Sequence, residues 1–112
     1  MELNVIKRDE AIEVCFEGAE RIYILNQEFI RDELNWCLNI YHDELIINLK
    51  GIKFIDTTGF RLLIEMYQLY RSLGKKFKLV NVSKEVEELF TLVKVSKLFP
   101  KEEMVGLNEV AA

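Results

Sequence analysis

The chain has 112 residues, 50% of them hydrophobic and 30% charged, a balance that supports a packed core without staples and excludes a disordered segment. Its formal charge of −4 arises from 15 basic and 19 acidic residues scattered among one another, which leaves no basic face for a phosphate backbone and argues against nucleic acid as a partner. The first ten residues lack the basic and apolar regions of a secretory signal, and every apolar run falls short of the roughly 20 residues of a membrane helix, so the expectation is a soluble, cytoplasmic chain that does not insert into a membrane.

Residues 2–8 and 11–16 alternate apolar and charged positions, with Ile12, Val14 and Phe16 set against Glu13, Cys15 and Glu17, the period of half-buried strands. Asp9 and Glu10 form the turn between them. Gly18 breaks the alternation, and Ile22-Tyr23-Ile24-Leu25 reads as a short strand or an extended lead-in. Asn26 stands where an N-cap is needed for a helix over 27–40, in which Phe29, Ile30, Leu34, Cys37, Leu38 and Tyr41 recur at helical spacing. In the polar turn that follows, His42, the sole histidine, reads as a solvated loop residue.

Residues 44–49 are nearly continuously apolar and predict a central strand covered on both faces. A second helix runs from Gly59 or Phe60 to Leu73, with Leu62, Leu63, Met66, Leu69, Tyr70 and Leu73 on one apolar face and Gly74 as its stop. Residues 77–82 are another buried strand, and Ser83 caps a third helix through Val93. Leu98 and Phe99 begin a last extended piece, and 107–112 read as the first turn of a helix. The alternation of strand and helix predicts an α/β fold with a mixed sheet.

Several chemistries lack their residues. Cys15 and Cys37 have no CxxC spacing and no clustered histidines, so no metal or redox pair is expected, and both read as small core residues. Neither GxGxxG nor GxxxxGK[ST] is present to wrap a phosphate, so no nucleotide cofactor is expected. A nucleophilic Thr57 would need a base that His42, a full strand earlier, does not supply, and a phosphoaccepting Asp56 would need further carboxylates for magnesium. The chain therefore reads as no enzyme.

What remains is Asp56-Thr57-Thr58-Gly59, which follows a buried strand and opens a helix. Unpaired backbone amides and the helix dipole favour a phosphate there. The same residues also read as plain helix chemistry, with Thr57 or Thr58 as cap, Asp56 against the positive helix end and Gly59 allowing close packing.

The run Leu45-Ile46-Ile47-Asn48-Leu49-Lys50-Gly51-Ile52-Lys53-Phe54-Ile55-Asp56-Thr57-Thr58-Gly59, the helix opening Phe60-Arg61-Leu62-Leu63-Ile64, then Lys78-Leu79-Val80-Asn81-Val82-Ser83 and Val86-Glu87-Glu88-Leu89-Phe90 together resemble a STAS domain of the anti-sigma-factor antagonist type. The resemblance implies one STAS-like domain over 1–112, an α/β fold whose mixed sheet has about four to five strands, with helices packed mainly on one face. It also implies a non-enzymatic module that binds an anti-sigma factor which is itself a serine/threonine kinase. The hydroxyl directly after the motif's aspartate is the phosphoacceptor in that family, which by position is Thr57, with Thr58 as runner-up and as the cap. Asp56, Thr57, Thr58 and Gly59, with Arg61, Glu65 and Gln68 on the outer helix face, are the expected partner surface. Two threonines stand where the family commonly has two serines, and residues 18–23 depart from its usual Gly-Glu-Leu-Asp-like stretch. The alternative role in the same family is an unphosphorylated scaffold of a stressosome-like assembly, or an accessory subunit of a transporter.

Overall fold

Alternation of apolar and polar residues lays down the sheet. In the computed structural model, which describes residues 1–92 and 104–106, the strands are β1 (Glu2–Arg8), β2 (Ala11–Glu17), β3 (Arg21–Ile22), β4 (Glu44–Asn48), β5 (Phe54–Ile55), β6 (Lys76–Val82) and β7 (Met104–Gly106). The helices are α1 (Gln27–Cys37), α2 (Thr57–Ser72) and α3 (Lys84–Leu92). Among the described residues the strands form a five-stranded sheet in the order β1-β2-β4-β6-β7 and a separate pair, β3-β5. Antiparallel β1 is joined to β2, while β2, β4, β6 and β7 are parallel, which makes the sheet mixed.

One sheet face carries the core. Ile12, Val14, Leu45, Ile47, Phe77 and Leu79 are buried there against Ile30 and Leu34 of α1, Leu62, Leu63, Met66 and Tyr70 of α2, and Val86 and Phe90 of α3. Each such side chain contributes about 1.5–3 kcal/mol of transfer free energy, so this layer carries the fold. The opposite face corrects the expectation that β4 is covered on both sides: Ile46 and Asn48 alternate, half-buried, with the buried Leu45 and Ile47. Asn48 there donates to Glu13 Oε2 at 2.9 Å and accepts from Asn81 at 3.0 Å. Cys15 lies on this face too, half-buried with its thiol 3.5 Å from Glu13, so Cys37 alone of the two cysteines is a core residue.

Helix ends differ from the periodicity for local reasons. Beyond Cys37 the backbone tightens, with Leu38, Asn39 and Ile40 donating three residues back to Asn35, Trp36 and Cys37, so the apolar spacing outlasts the α-helix. Phe29 and Tyr41, expected on its buried face, are 45% and 71% exposed. Asn26 occupies the N-cap position without capping α1. Its side chain instead accepts from the Tyr23 amide at 2.9 Å and donates to the Arg21 carbonyl at 2.8 Å, folding the β3–α1 connection on itself. Leu73, expected on the apolar face of α2, is half-exposed beyond the helix end.

His42 is the largest departure. It is buried rather than solvated, with Nδ1 2.6 Å from the Ile40 carbonyl and Nε2 2.6 Å from the Tyr70 hydroxyl. A carbonyl only accepts, so Nδ1 donates to Ile40, and Nε2 shares the second hydrogen bond with the Tyr70 hydroxyl. Burial pushes the Tyr70 hydroxyl well above the usual tyrosine range, which keeps its proton available for that bond.

Ser83 caps α3 as expected, accepting from the Val86 amide at 3.1 Å while donating to the Ile52 carbonyl at 3.1 Å. The strand at 104–106 is an addition to the sequence expectation. The proposed extended piece at Leu98 and Phe99, Val93, and the tail from Leu107 lie outside the described residues.

Candidate functional site

The junction before α2 is built from two elements that the sheet does not contain. After β4 the chain turns through Lys50 and Gly51, whose φ of 87° is open to glycine at no steric cost, and Ile52 donates back to the Leu49 carbonyl at 2.9 Å. It then runs as β5 beside β3, with Arg21 opposite Phe54 and Ile22 opposite Ile55. The Asp56 amide continues this pairing to the Ile22 carbonyl at 3.1 Å, so β3 sets where α2 begins.

Asp56 is the N-cap. Its backbone is extended (φ −87°, ψ −178°), and its Oδ1 accepts from the Gly59 amide at 2.9 Å and from the Thr58 hydroxyl at 2.6 Å. Its Oδ2 accepts from the Ile24 amide at 2.9 Å. This corrects the expectation of a threonine cap: Asp56 is the residue with extended backbone directly before the helix, so its side chain reaches the free amides, while Thr57 and Thr58 already lie inside the first turn. The helix consequently starts at Thr57 rather than at Gly59 or Phe60. Partial burial tends to raise the Asp56 carboxyl, but the bonds from Thr58, Gly59 and Ile24 outweigh it and hold the group below the usual aspartate range.

The two threonines are thus unequal. Thr58 is half-buried with its hydroxyl committed to Asp56, whereas Thr57 is exposed and its hydroxyl makes no hydrogen bond among the described residues. Gly59 is required by contact: a Cβ there would lie 2.5 Å from the Ile22 carbonyl oxygen and 2.7 Å from Ile55 Cγ2. The close packing expected of it is present, and its partner is β3.

On the outer side of α2, Arg61, Glu65 and Gln68 are all exposed. Glu65 is not free, since its Oε2 pairs with Arg31 of α1 at 2.5 Å. Sequence reasoning missed the β3–α1 connection, where Ile24 and Leu25 stand 64% and 80% exposed beside Asp56. Next to them lies an open groove of about 380 Å³ lined by Glu20, Arg21, Tyr23, Leu25 and others. The only signal for this was an apolar pair in a segment that fits no strand period. Among the described residues no group of three or more His, Cys, Asp or Glu side chains could hold a metal ion, and no helix is long and apolar enough to cross a membrane.

With an α/β domain whose sheet is covered by helices on one face and whose second helix is capped by an aspartate after a short strand, residues 2–107 match the STAS domain family. The chain belongs to that family. No curated protein sequence matches it. Among solved structures it is similar to an anti-sigma-factor antagonist (STAS) domain protein from Planctomyces limnophilus, with a TM-score of 0.78, 16% identity, and coverage of 95% of this chain and 90% of that one. It is similar also to the Bacillus cell fate determinant SpoIIAA in its phosphorylated form, with a TM-score of 0.67, 15% identity, and coverage of 92% and 88%. The murine anion transporter Slc26a9 gives a TM-score of 0.75 at 19% identity over 90% of this chain, which spans 16% of the transporter's length.

Proposed function

We propose that this protein is a cytoplasmic, non-enzymatic regulatory module of the anti-sigma-factor antagonist kind, one domain over 1–112. It binds an anti-sigma factor that is also a serine/threonine kinase, through Asp56, Thr57, Thr58, Gly59 and the adjoining Arg61 and Glu65. That kinase switches it off by phosphorylating Thr57: the Thr57 oxygen attacks the γ-phosphorus of ATP, ADP leaves, and the hydroxyl proton passes to a base of the kinase. The observation that carries the reading is the division of labour between the hydroxyls, Thr57 exposed and without a hydrogen bond among the described residues, Thr58 tied to Asp56.

A phosphate at Thr57 adds about 1.5 to 2 negative charges in the first turn of α2, where the helix dipole offsets part of their repulsion, so the fold tolerates it. A partner packed over the junction does not, because the dianion and its water must then be buried. Incubation with the cognate kinase and ATP, followed by peptide mass spectrometry, tests this: label on Thr57, absent in Thr57→Ala, supports the reading, and label on Thr58 or nowhere sinks it.

The second reading, an unphosphorylated scaffold or a transporter's accessory subunit, is favoured by the likeness to the murine transporter. Co-purification with membrane components rather than with a soluble kinase selects it.

A further inference from the structure

The carboxylate of Asp56 joins two segments far apart in the chain. Oδ1 serves α2, through Gly59 and Thr58, while Oδ2 reaches the Ile24 amide, 32 residues earlier. On its other side the same connection is held by Asn26, through the Tyr23 amide and the Arg21 carbonyl. Between these two fastenings Ile24 and Leu25 stand at 64% and 80% exposure, in a turn that the Asn26 and Gln27 amides also close by donating to the Tyr23 carbonyl at 3.0 and 2.9 Å.

Thr57 adjoins Asp56, and its exposed side chain leaves the same helix start. A phosphate on it sets a dianion beside the carboxylate and competes for the same amide-rich end of α2. The bonds to Thr58 and Gly59 are local to the helix start and re-form readily with either acceptor. Among the described residues the Ile24 amide donates to Asp56 Oδ2 alone, whereas Ile22 stays tied to the start of α2 through the Asp56 amide, so a displaced carboxylate frees Ile24 and not β3.

We propose that Asp56 is a latch that couples phosphorylation of Thr57 to the conformation of residues 23–26. Unmodified, the carboxylate holds the Ile24 amide at the rim of the Thr57 face; phosphorylated, Oδ2 gives up that amide, and the turn, still closed by Asn26 and the Tyr23 carbonyl, loosens at Ile24. The proposal rests on the reading of Thr57 as the phosphoacceptor and deepens it: besides blocking a partner by charge, the phosphate rearranges a neighbouring segment of the same face.

Amide hydrogen exchange by NMR on the full chain, with phosphothreonine installed at position 57 during translation, decides it without any kinase. The Ile24 amide is expected to exchange at least tenfold faster than in the unmodified chain, while the amides of Val14 and Leu79 in the sheet keep their rates. Asp56→Ser, which caps α2 with a hydroxyl too short to reach Ile24, is expected to give the same local acceleration with the sheet amides unchanged. An Ile24 amide that is unprotected in the unmodified chain, or equally protected with phosphothreonine, overturns the latch. Failure of the kinase to label Thr57 would remove the functional reading and leave this measurement standing.

Discussion

The hydroxyl of Thr58 lies 2.6 Å from Asp56 Oδ1, so one of the two adjacent threonines braces the helix cap and leaves the other to face outward. That contact converts a symmetric pair of hydroxyls into a structural residue and an accessible one. Thr58→Val removes the brace while keeping the shape, and is expected to lower stability by about 1 kcal/mol, the usual net worth of one hydrogen bond. Thr57→Val, lacking any such bond to lose, is expected to stay within about 0.5 kcal/mol of the parent. Urea titrations of the two variants check the asymmetry; equal losses would contradict it.

Asp56→Ala takes away the acceptor for Gly59, Thr58 and Ile24 together. Loss of an N-cap alone costs about 0.5–2 kcal/mol, and the severed link to Ile24 places this variant at the upper end. Thermal unfolding by circular dichroism reads the effect.

The pH dependence follows from the same carboxylate. Its folded pKa lies below the unfolded one, so the stability it contributes is fully present above the usual aspartate range, about pH 4, and is lost as pH falls through the lower folded value. Glu13 acts in the same direction: desolvation tends to raise it, but bonds from Asn48, Arg8 and Cys15 hold it down. Unfolding free energy is therefore expected to be flat near neutrality and to drop in acid, and Asp56→Asn should flatten the acid limb.

Gly59→Ala separates contact from propensity. In an exposed helix the change would stabilise by up to about 1 kcal/mol, whereas here the new methyl meets the backbone oxygen of Ile22 at 2.5 Å. Overpacking of that kind costs about 1–3 kcal/mol, so the variant is expected to be less stable and to show displaced β3 resonances. A stabilised variant would mean that β3 does not sit against α2.

Tyr70→Phe leaves the packing of α2 nearly intact and strips His42 Nε2 of its partner. An orphaned buried polar group costs about 1–3 kcal/mol, and chemical denaturation should find a loss in that range. Arg31→Ala, by comparison, breaks a partly exposed pair with Glu65 and is expected to cost under about 1 kcal/mol.

Much of this architecture was legible before any coordinates. The periods of β1, β2, β4, β6 and α2 are properties of neighbouring residues, and a chain that must bury its apolar positions has few ways to honour them. The Asp56-Thr57-Thr58-Gly59 junction, the Ser83 cap and the family were readable for the same reason, since a motif is a local pattern. What adjacency in sequence could not settle is which partner each polar atom finds. Asp56 became the cap because its extended backbone aims the carboxylate at Gly59 while β3 brings the Ile24 amide to its other oxygen. His42 went inside because Tyr70, 28 residues on, offers its hydroxyl there. Asn48 and Glu13 met on the open face only once β2 and β4 lay side by side. Hydrophobic burial is nearly blind to direction and so is written in composition and period, whereas a hydrogen bond demands a donor and an acceptor within about 3 Å and in line, a condition that only the folded chain meets.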